Sequence, residues 1–166
     1  MSVIPGHEIL KLNAVGGVLD LEKQVQPAGV DLTIAEVFKF KCYGALGYEL
    51  RQMPEVERLD FDSNGRLFLK AGAYRVRYNE VVRVPRDCIA IGFPRSSLMR
   101  MGATIISAVW DPGYEGRGEG LLIVGNPHGI ILERNARVMQ LIFIKLTELP
   151  VKTYHGSYQY EGLGSI

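Results

Sequence analysis

The chain is poor in the residues that build metal centres and disulfide scaffolds. Its 166 residues include two cysteines, Cys42 and Cys88, and three histidines, His7, His128 and His155. No C-x-x-C pair occurs and the histidines show no ligand spacing, which argues against a structural zinc site and a stapled framework. Two buried thiols in a reducing compartment are expected. An excess of one charge is also missing: 19 basic residues face 18 acidic ones, for a net charge of +1. Binding to nucleic acid or a membrane surface through bulk charge is therefore not expected, although a few local arginines suffice for a small anion. No apolar run is long enough to span a bilayer. The opening "MSVIPGHEILKL" lacks the basic-then-apolar pattern of a signal peptide, so a cytoplasmic protein is expected.

What the chain has is a 47% hydrophobic fraction, enough for a core, in a length that suits one domain. "GHEILKLNA" reads as a short N-terminal helix ended by Gly16-Gly17. Strands follow. "RLDFDSNGRLFLK" alternates around Asn64-Gly65, a strong hairpin signal. In "YRVRYNEVVRVP", Tyr74, Val76 and Tyr78 fall on one face and Arg75 and Arg77 on the other. "CIAIGF", "TIISAVW", "GLLIVGN", "GIILE" and "RVMQLIFIKL" are further short apolar runs between Gly, Pro or Asn, the pattern of an all-β sandwich or barrel. "LFLKAGAYRV" and "IILERNARVM" echo each other as two similar hairpins. The division expected is a β domain over 1–150 and a Tyr- and Gly-rich tail over 151–166. That tail reads either as a frayed end or as a cover that stacks on a ligand.

Three stretches could carry chemistry. In "FPRSSLMRMG", Pro94 stops a strand, and Ser96 and Ser97 start a helix ended by Gly102, with Arg95 adjacent. Such a start offers unpaired N–H groups and hydroxyls, and an Arg fork suits phosphate, so an anion site and a plain helix cap are both open readings. In "WDPGYEG", Asp111 is either a general base or a turn residue, and Tyr114 a binding platform or a packed strand residue. In "QVQPAGVDL", Asp31 is either an oxygen partner for a hard cation or a turn aspartate.

These stretches occur in the order of a known superfamily. The chain resembles the dCTP deaminase and dUTPase superfamily, in its dCTP deaminase-like branch, over nearly its whole length. "QVQPAGVDL" is similar to Q-V-Q-P-A-S-V-D-L, "PRSSLMRMG" to R-S-S-L-A-R-L-G, "VWDPGYEG" to W-I-D-P-G-F-x-G, and "ARVMQLIF" to G-x-x-I-x-Q-L-x-F. The tail "YHGSYQYEG" resembles a closing segment with K-Y-Q-x-Q. The resemblance implies an all-β β-clip, a distorted barrel or sandwich with a short N-terminal helix, assembled as a homotrimer with active sites at subunit contacts. It implies that Arg95, Ser96 and Ser97 hold a triphosphate, with Arg100 nearby and Gln140 in support. The edge from Ser107 to Trp110 would read the pyrimidine, and Tyr154 and Tyr158 of the tail would cover it. Magnesium would ride on the triphosphate, with Asp31 reaching it through water.

Two chemistries divide the superfamily. Deaminating members carry a glutamate in the phrase L-E-x-x-N, on the strand after the Asp turn. Counting back from Asn126, its place here falls on Ile123, and "GLLIVGN" has no carboxylate. The turn before it is two residues longer than the family pattern and holds Glu115 and Glu119, so Glu119 could substitute only from a loop. Asp-x-x-Tyr, as in Asp111 and Tyr114, is the dUTPase pattern: the Asp is the base for water, and the Tyr ring packs on deoxyribose and excludes a 2′-hydroxyl. In the tail, Ser157 replaces Lys and Glu161 replaces the second Gln. The function expected is a dUTP diphosphatase using Asp111. The alternatives are a dCTP deaminase or bifunctional enzyme, and a nucleotide-binding trimer without catalysis.

Overall fold

A computed structural model describes residues 2–164. The all-β expectation holds: most regular structure is strand, and the elements form a curled antiparallel assembly whose largest sheet has nine strands. At its centre lies the strand Gly29–Phe40. Its first part, Val30–Thr33, pairs with the strand Arg137–Lys145, and its later part, Ile34–Lys39, pairs with Gly72–Tyr78. The register slips on both sides, between Arg137 and Met139 and between Ile34 and Glu36. Such bulges bend a strand and strengthen its twist, so one strand serves two layers of the curl. The alternation records the slip. Val30, Leu32 and Ile34 point into the core, and the next inward residue is Val37, three positions on.

The strand Gly72–Tyr78 buries Tyr74, Val76 and Tyr78 and turns Arg75 and Arg77 outward, as alternation predicts. Glu119–Val124 continues the sheet from there to Ala103–Ile106. On the other side Cys88–Pro94 pairs with Arg137–Lys145, and Pro94 ends it as expected.

Three local expectations are corrected. The N-terminal helix is only Gly6–Lys11; Asn13, at φ 53°, takes the left-handed conformation that terminates it, well before Gly16-Gly17. Asn64-Gly65 does form a turn, with Gly65 N–H donating to Asp62 O, but its flanking strands leave each other: Val56–Leu59 pairs with the central strand and Arg66–Leu69 with Ile130–Glu133. The two echoing segments are therefore not closed hairpins. Their first strands pair with each other, and their second strands flank the central strand on opposite sides.

The outer face of the central strand is buried too. Asp31 and Thr33 are 1% and 2% exposed, and Glu80 is fully buried beside them. Thr33 donates from its N–H and hydroxyl to Glu80 (2.9 and 2.6 Å), and Gln24 Nε2 donates to Glu80 Oε1 and to Asp31 O (2.7 and 2.8 Å). Burial raises the Glu80 carboxyl above its ordinary 4.5. The folded chain thus holds this proton more tightly than the unfolded one. Its stabilising contribution is complete below about pH 4.5 and is lost as pH rises through the folded value. The denaturant midpoint is expected to fall with pH across that window, and Glu80→Gln to flatten the slope. An unchanged slope in that variant would show that Glu80 ionises alike in both states.

Candidate active site

The stretch that opened two readings, Trp110–Gly116, is both a turn and a wall of a cavity. Tyr114 N–H donates to Asp111 O at 3.1 Å, closing a four-residue turn. Pro112 and Gly113 occupy its middle, and Gly113 has φ 85°, a conformation that favours glycine and marks the third position of a type II turn. Trp110 anchors the turn by exchanging two backbone hydrogen bonds of 2.9 Å with Ala90. Its ring seats against Gly118, where a Cβ would lie 2.2 Å from the indole. Only a glycine permits that approach.

The cavity beside this turn has a volume of about 610 Å³, within the usual range for a small-molecule site. Trp110, Asp111, Tyr114, Tyr154 and Tyr158 all line it, so five residues singled out in the sequence come together. Asp111 is solvent-exposed, and among the described residues its carboxylate has no hydrogen bond or ion pair. Tyr114 is 6% exposed. Its ring meets Trp110 and Tyr154 edge-on, with centroids 5.2 and 5.6 Å away, and its hydroxyl donates to Glu161 at 2.9 Å. Burial pushes the Tyr114 hydroxyl far above its ordinary value, so it stays a donor. Ser107 lines the same cavity, and its Oγ is buried with no hydrogen-bond partner among the described residues.

The sequence reading of Glu119 needs correction. The strand after the turn begins at Glu119, so it does carry a carboxylate. The pairing Glu119↔Arg77 extends the ladder one residue beyond the apolar run. That carboxylate is occupied: Arg77 Nη2 lies 2.7 Å from Oε1 and Arg75 Nε 3.1 Å from Oε2. Arg77 also reaches Glu36 at 2.9 Å. The outward arginines of the alternating strand thus form a charged wall, which periodicity placed on one face without naming its partners.

The tail folds back onto the turn of its own chain. Tyr154 N–H donates to Pro112 O, Tyr160 N–H to Glu115 O and Arg117 N–H to Glu161 O. Gln159 Nε2 donates to Gly113 O at 3.0 Å. Arg51 stacks over Tyr158 at 4.7 Å and donates to Ser157 Oγ at 2.6 Å. Of the expected tail, residues 165 and 166 lie outside the described region. Burial raises the Glu161 carboxyl, with Glu119 adding to the effect and Tyr114, Arg77 and Arg75 opposing it. Glu161 stood out in the sequence only as a departure from the family's glutamine. Phe40 and Met53, which also line the cavity, carried no local signal at all.

The remaining site residues form a second cluster. Ser96–Arg100 is helical, with Arg95 rather than a serine at its N-cap and no side-chain cap; Gly102, at φ 78°, ends it. Ser96, Ser97 and Arg100 are exposed. Arg95 Nε and Arg137 Nη1 both approach Asp31 Oδ2, at 3.1 and 3.3 Å. Gln140 pairs with Asp31 on one side and Phe93 on the other, so it borders the same cluster. Burial raises the Asp31 carboxyl, with Arg95 and Arg137 opposing the shift. None of Arg95, Ser96, Arg100, Gln140 and Asp31 lines the cavity of Asp111. Ser97 opens instead on a separate cavity of about 340 Å³ beside Met101 and Arg137. No cluster of three or more acidic, Cys or His groups suited to a metal occurs among the described residues. Asp31 is a single carboxylate, 1% exposed and already paired with Arg95 and Arg137, so it does not form a site for a resident ion. No helix of the described residues is long and apolar enough to cross a membrane.

Comparisons with known proteins identify the family. A family model described as dCTP deaminase-like matches residues 3–146. The chain is 43% identical, over 99% of its length and all of the relative's, to a probable deoxyuridine 5'-triphosphate nucleotidohydrolase of Archaeoglobus fulgidus. It is 36% identical to the deoxyuridine 5'-triphosphate nucleotidohydrolase of Methanocaldococcus jannaschii, covering 83% of this chain and 88% of that one. Among solved structures, a 2'-deoxycytidine 5'-triphosphate deaminase from Agrobacterium tumefaciens shares the fold, with a TM-score of 0.67 and 22% identity. That match covers 85% of this chain and about half, 47%, of the deaminase chain. The chain belongs to the dCTP deaminase-like family.

Proposed function

We propose that the chain is a dUTP diphosphatase, hydrolysing dUTP to dUMP and pyrophosphate. The observation that carries this reading is the contrast between two carboxylates of one cavity. Asp111 is exposed and unpaired among the described residues, whereas Glu119 is held by two arginines. A free carboxylate suits deprotonation of water; one locked to Arg75 and Arg77 is poorly placed to shuttle protons on a cytosine ring. The names of the relatives support the same substrate.

In this reading a water donates its proton to Asp111 as its oxygen bonds to the α-phosphorus. The bond from that phosphorus to the bridging oxygen of the β-phosphate breaks, and pyrophosphate leaves with the electron pair. Arg95, held by Asp31, and Arg100 offset charge on the phosphates. Bound magnesium would neutralise phosphate charge as a Lewis acid, and Asp31 would serve that region by holding Arg95. Ser107 and the edge to Trp110 face the base, Tyr114 the sugar, and Tyr154 and Tyr158 cover the nucleotide. The phosphate cluster and the Asp111 cavity are separate on one chain, which supports a homotrimer with each site shared between subunits. Sedimentation that finds a fully active monomer would sink the shared site.

Parallel incubation with dUTP, dCTP and UTP in magnesium tests the activity. The expected products are dUMP and pyrophosphate from dUTP, with UTP largely spared. Appearance of dUTP or dUMP from dCTP would replace this reading with a deaminase or bifunctional enzyme. Tight dUTP binding without pyrophosphate release would leave a nucleotide-binding protein.

A further inference from the structure

The tail carries more than a cover. Two of the groups that fix the Tyr114 ring belong to it: Tyr154, edge-on at 5.6 Å, and Glu161, which accepts the hydroxyl at 2.9 Å. The third is Trp110, on the body of the chain. Glu161 is itself fixed, because its carbonyl accepts from Arg117 N–H at 2.8 Å and its neighbour Tyr160 donates to Glu115 O at 2.7 Å. The carboxylate that could compete for the hydroxyl, Glu119, is taken by Arg75 and Arg77. Of the three contacts, the hydrogen bond to Glu161 is the one that fixes the Tyr114 hydroxyl, and it comes from the tail.

We infer that Glu161 is a specificity-determining residue that acts through Tyr114: by accepting its hydroxyl, Glu161 holds the ring at the depth that admits deoxyribose and excludes ribose. The inference rests on the diphosphatase reading for the sugar's place, and it adds that sugar selection requires the docked tail. A ring free to tilt away from Glu161 would leave room for a 2′-hydroxyl. Removing either the acceptor or the donor then has one consequence, and removing both adds nothing further.

The test is the ratio of Kd for UTP to Kd for dUTP, measured by calorimetry without magnesium so that no turnover is needed. Glu161→Ala and Tyr114→Phe are each expected to lower this ratio about tenfold, the size of one lost hydrogen bond. The double variant should match the singles. Glu161→Gln, which keeps an acceptor, should restore the ratio to within about threefold of the original, well short of a full bond's loss. A wild-type ratio near one, an unchanged ratio in Glu161→Ala, or an equal loss of affinity for both nucleotides would overturn the inference; the last would make the tail a cover only. Pyrophosphate release from dUTP by the unaltered protein is scored separately. Its absence would defeat the diphosphatase reading while the binding ratio still reports on Glu161.

Discussion

Asp111→Asn is expected to lower turnover of dUTP to dUMP by roughly 10²–10⁴-fold, the common cost of losing a general base. The substitution preserves shape and the turn, because the turn is closed by the Asp111 carbonyl and not its side chain. Nothing else among the described residues leans on that carboxylate, so folding and the Kd for dUTP should change little. The loss should fall on kcat. Near-normal kcat in Asp111→Asn would mean that another group takes the proton. Glu119 and Glu161, which line the same cavity, are the carboxylates to examine then, although Glu119 would first have to leave its two arginines.

Asp31→Ala should damage both stability and phosphate binding. Asp31 is 1% exposed and holds two guanidinium groups on one oxygen. Removing one partner of a fully buried pair costs roughly 3–5 kcal/mol, because the other charge is left buried. Here Arg95 and Arg137 are 26% and 30% exposed and can recover some hydration, so about 2–3 kcal/mol is expected. Arg137 also donates to Lys23 O, which limits its freedom to move out. Arg95 loses the only ion pair found for it among the described residues, and with it the orientation proposed for phosphate. Urea denaturation and dUTP calorimetry check the two parts separately. A stable variant with normal affinity would show that the pair neither holds the fold nor prepares Arg95.

These outcomes turn on residues that differed in how visible they were beforehand. Asp111, Pro112, Gly113 and Tyr114 were legible because a turn is local: four adjacent residues dictate its shape. The burial of Tyr74, Val76 and Tyr78 was legible from alternation alone. Asn64-Gly65 was legible as a turn but not as a connection between sheets, since pairing is decided by strands distant in sequence. Glu119 was misplaced for the same reason: its strand extends because Arg77 pairs with it across 42 residues of chain. The family resemblance brought the two arms of the site into view but not the Glu161 contact, which lies where the tail departs from the family pattern.

The central strand has a consequence for how the chain is made. Val30 pairs with Leu141, more than a hundred residues later. On a ribosome the later half of the strand can pair with Val56–Leu59 and Gly72–Tyr78 early, but its first half waits for Arg137–Lys145 until nearly the whole chain has followed. Contacts this distant slow folding, because the entropy of closing the long loop is lost before any pairing rewards it. Chains truncated before Arg137 would lack the strand that pairs with Val30 and Asp31 on the side away from Val25 and Gln26. They are therefore expected to be targets for chaperones and proteases rather than partly active fragments.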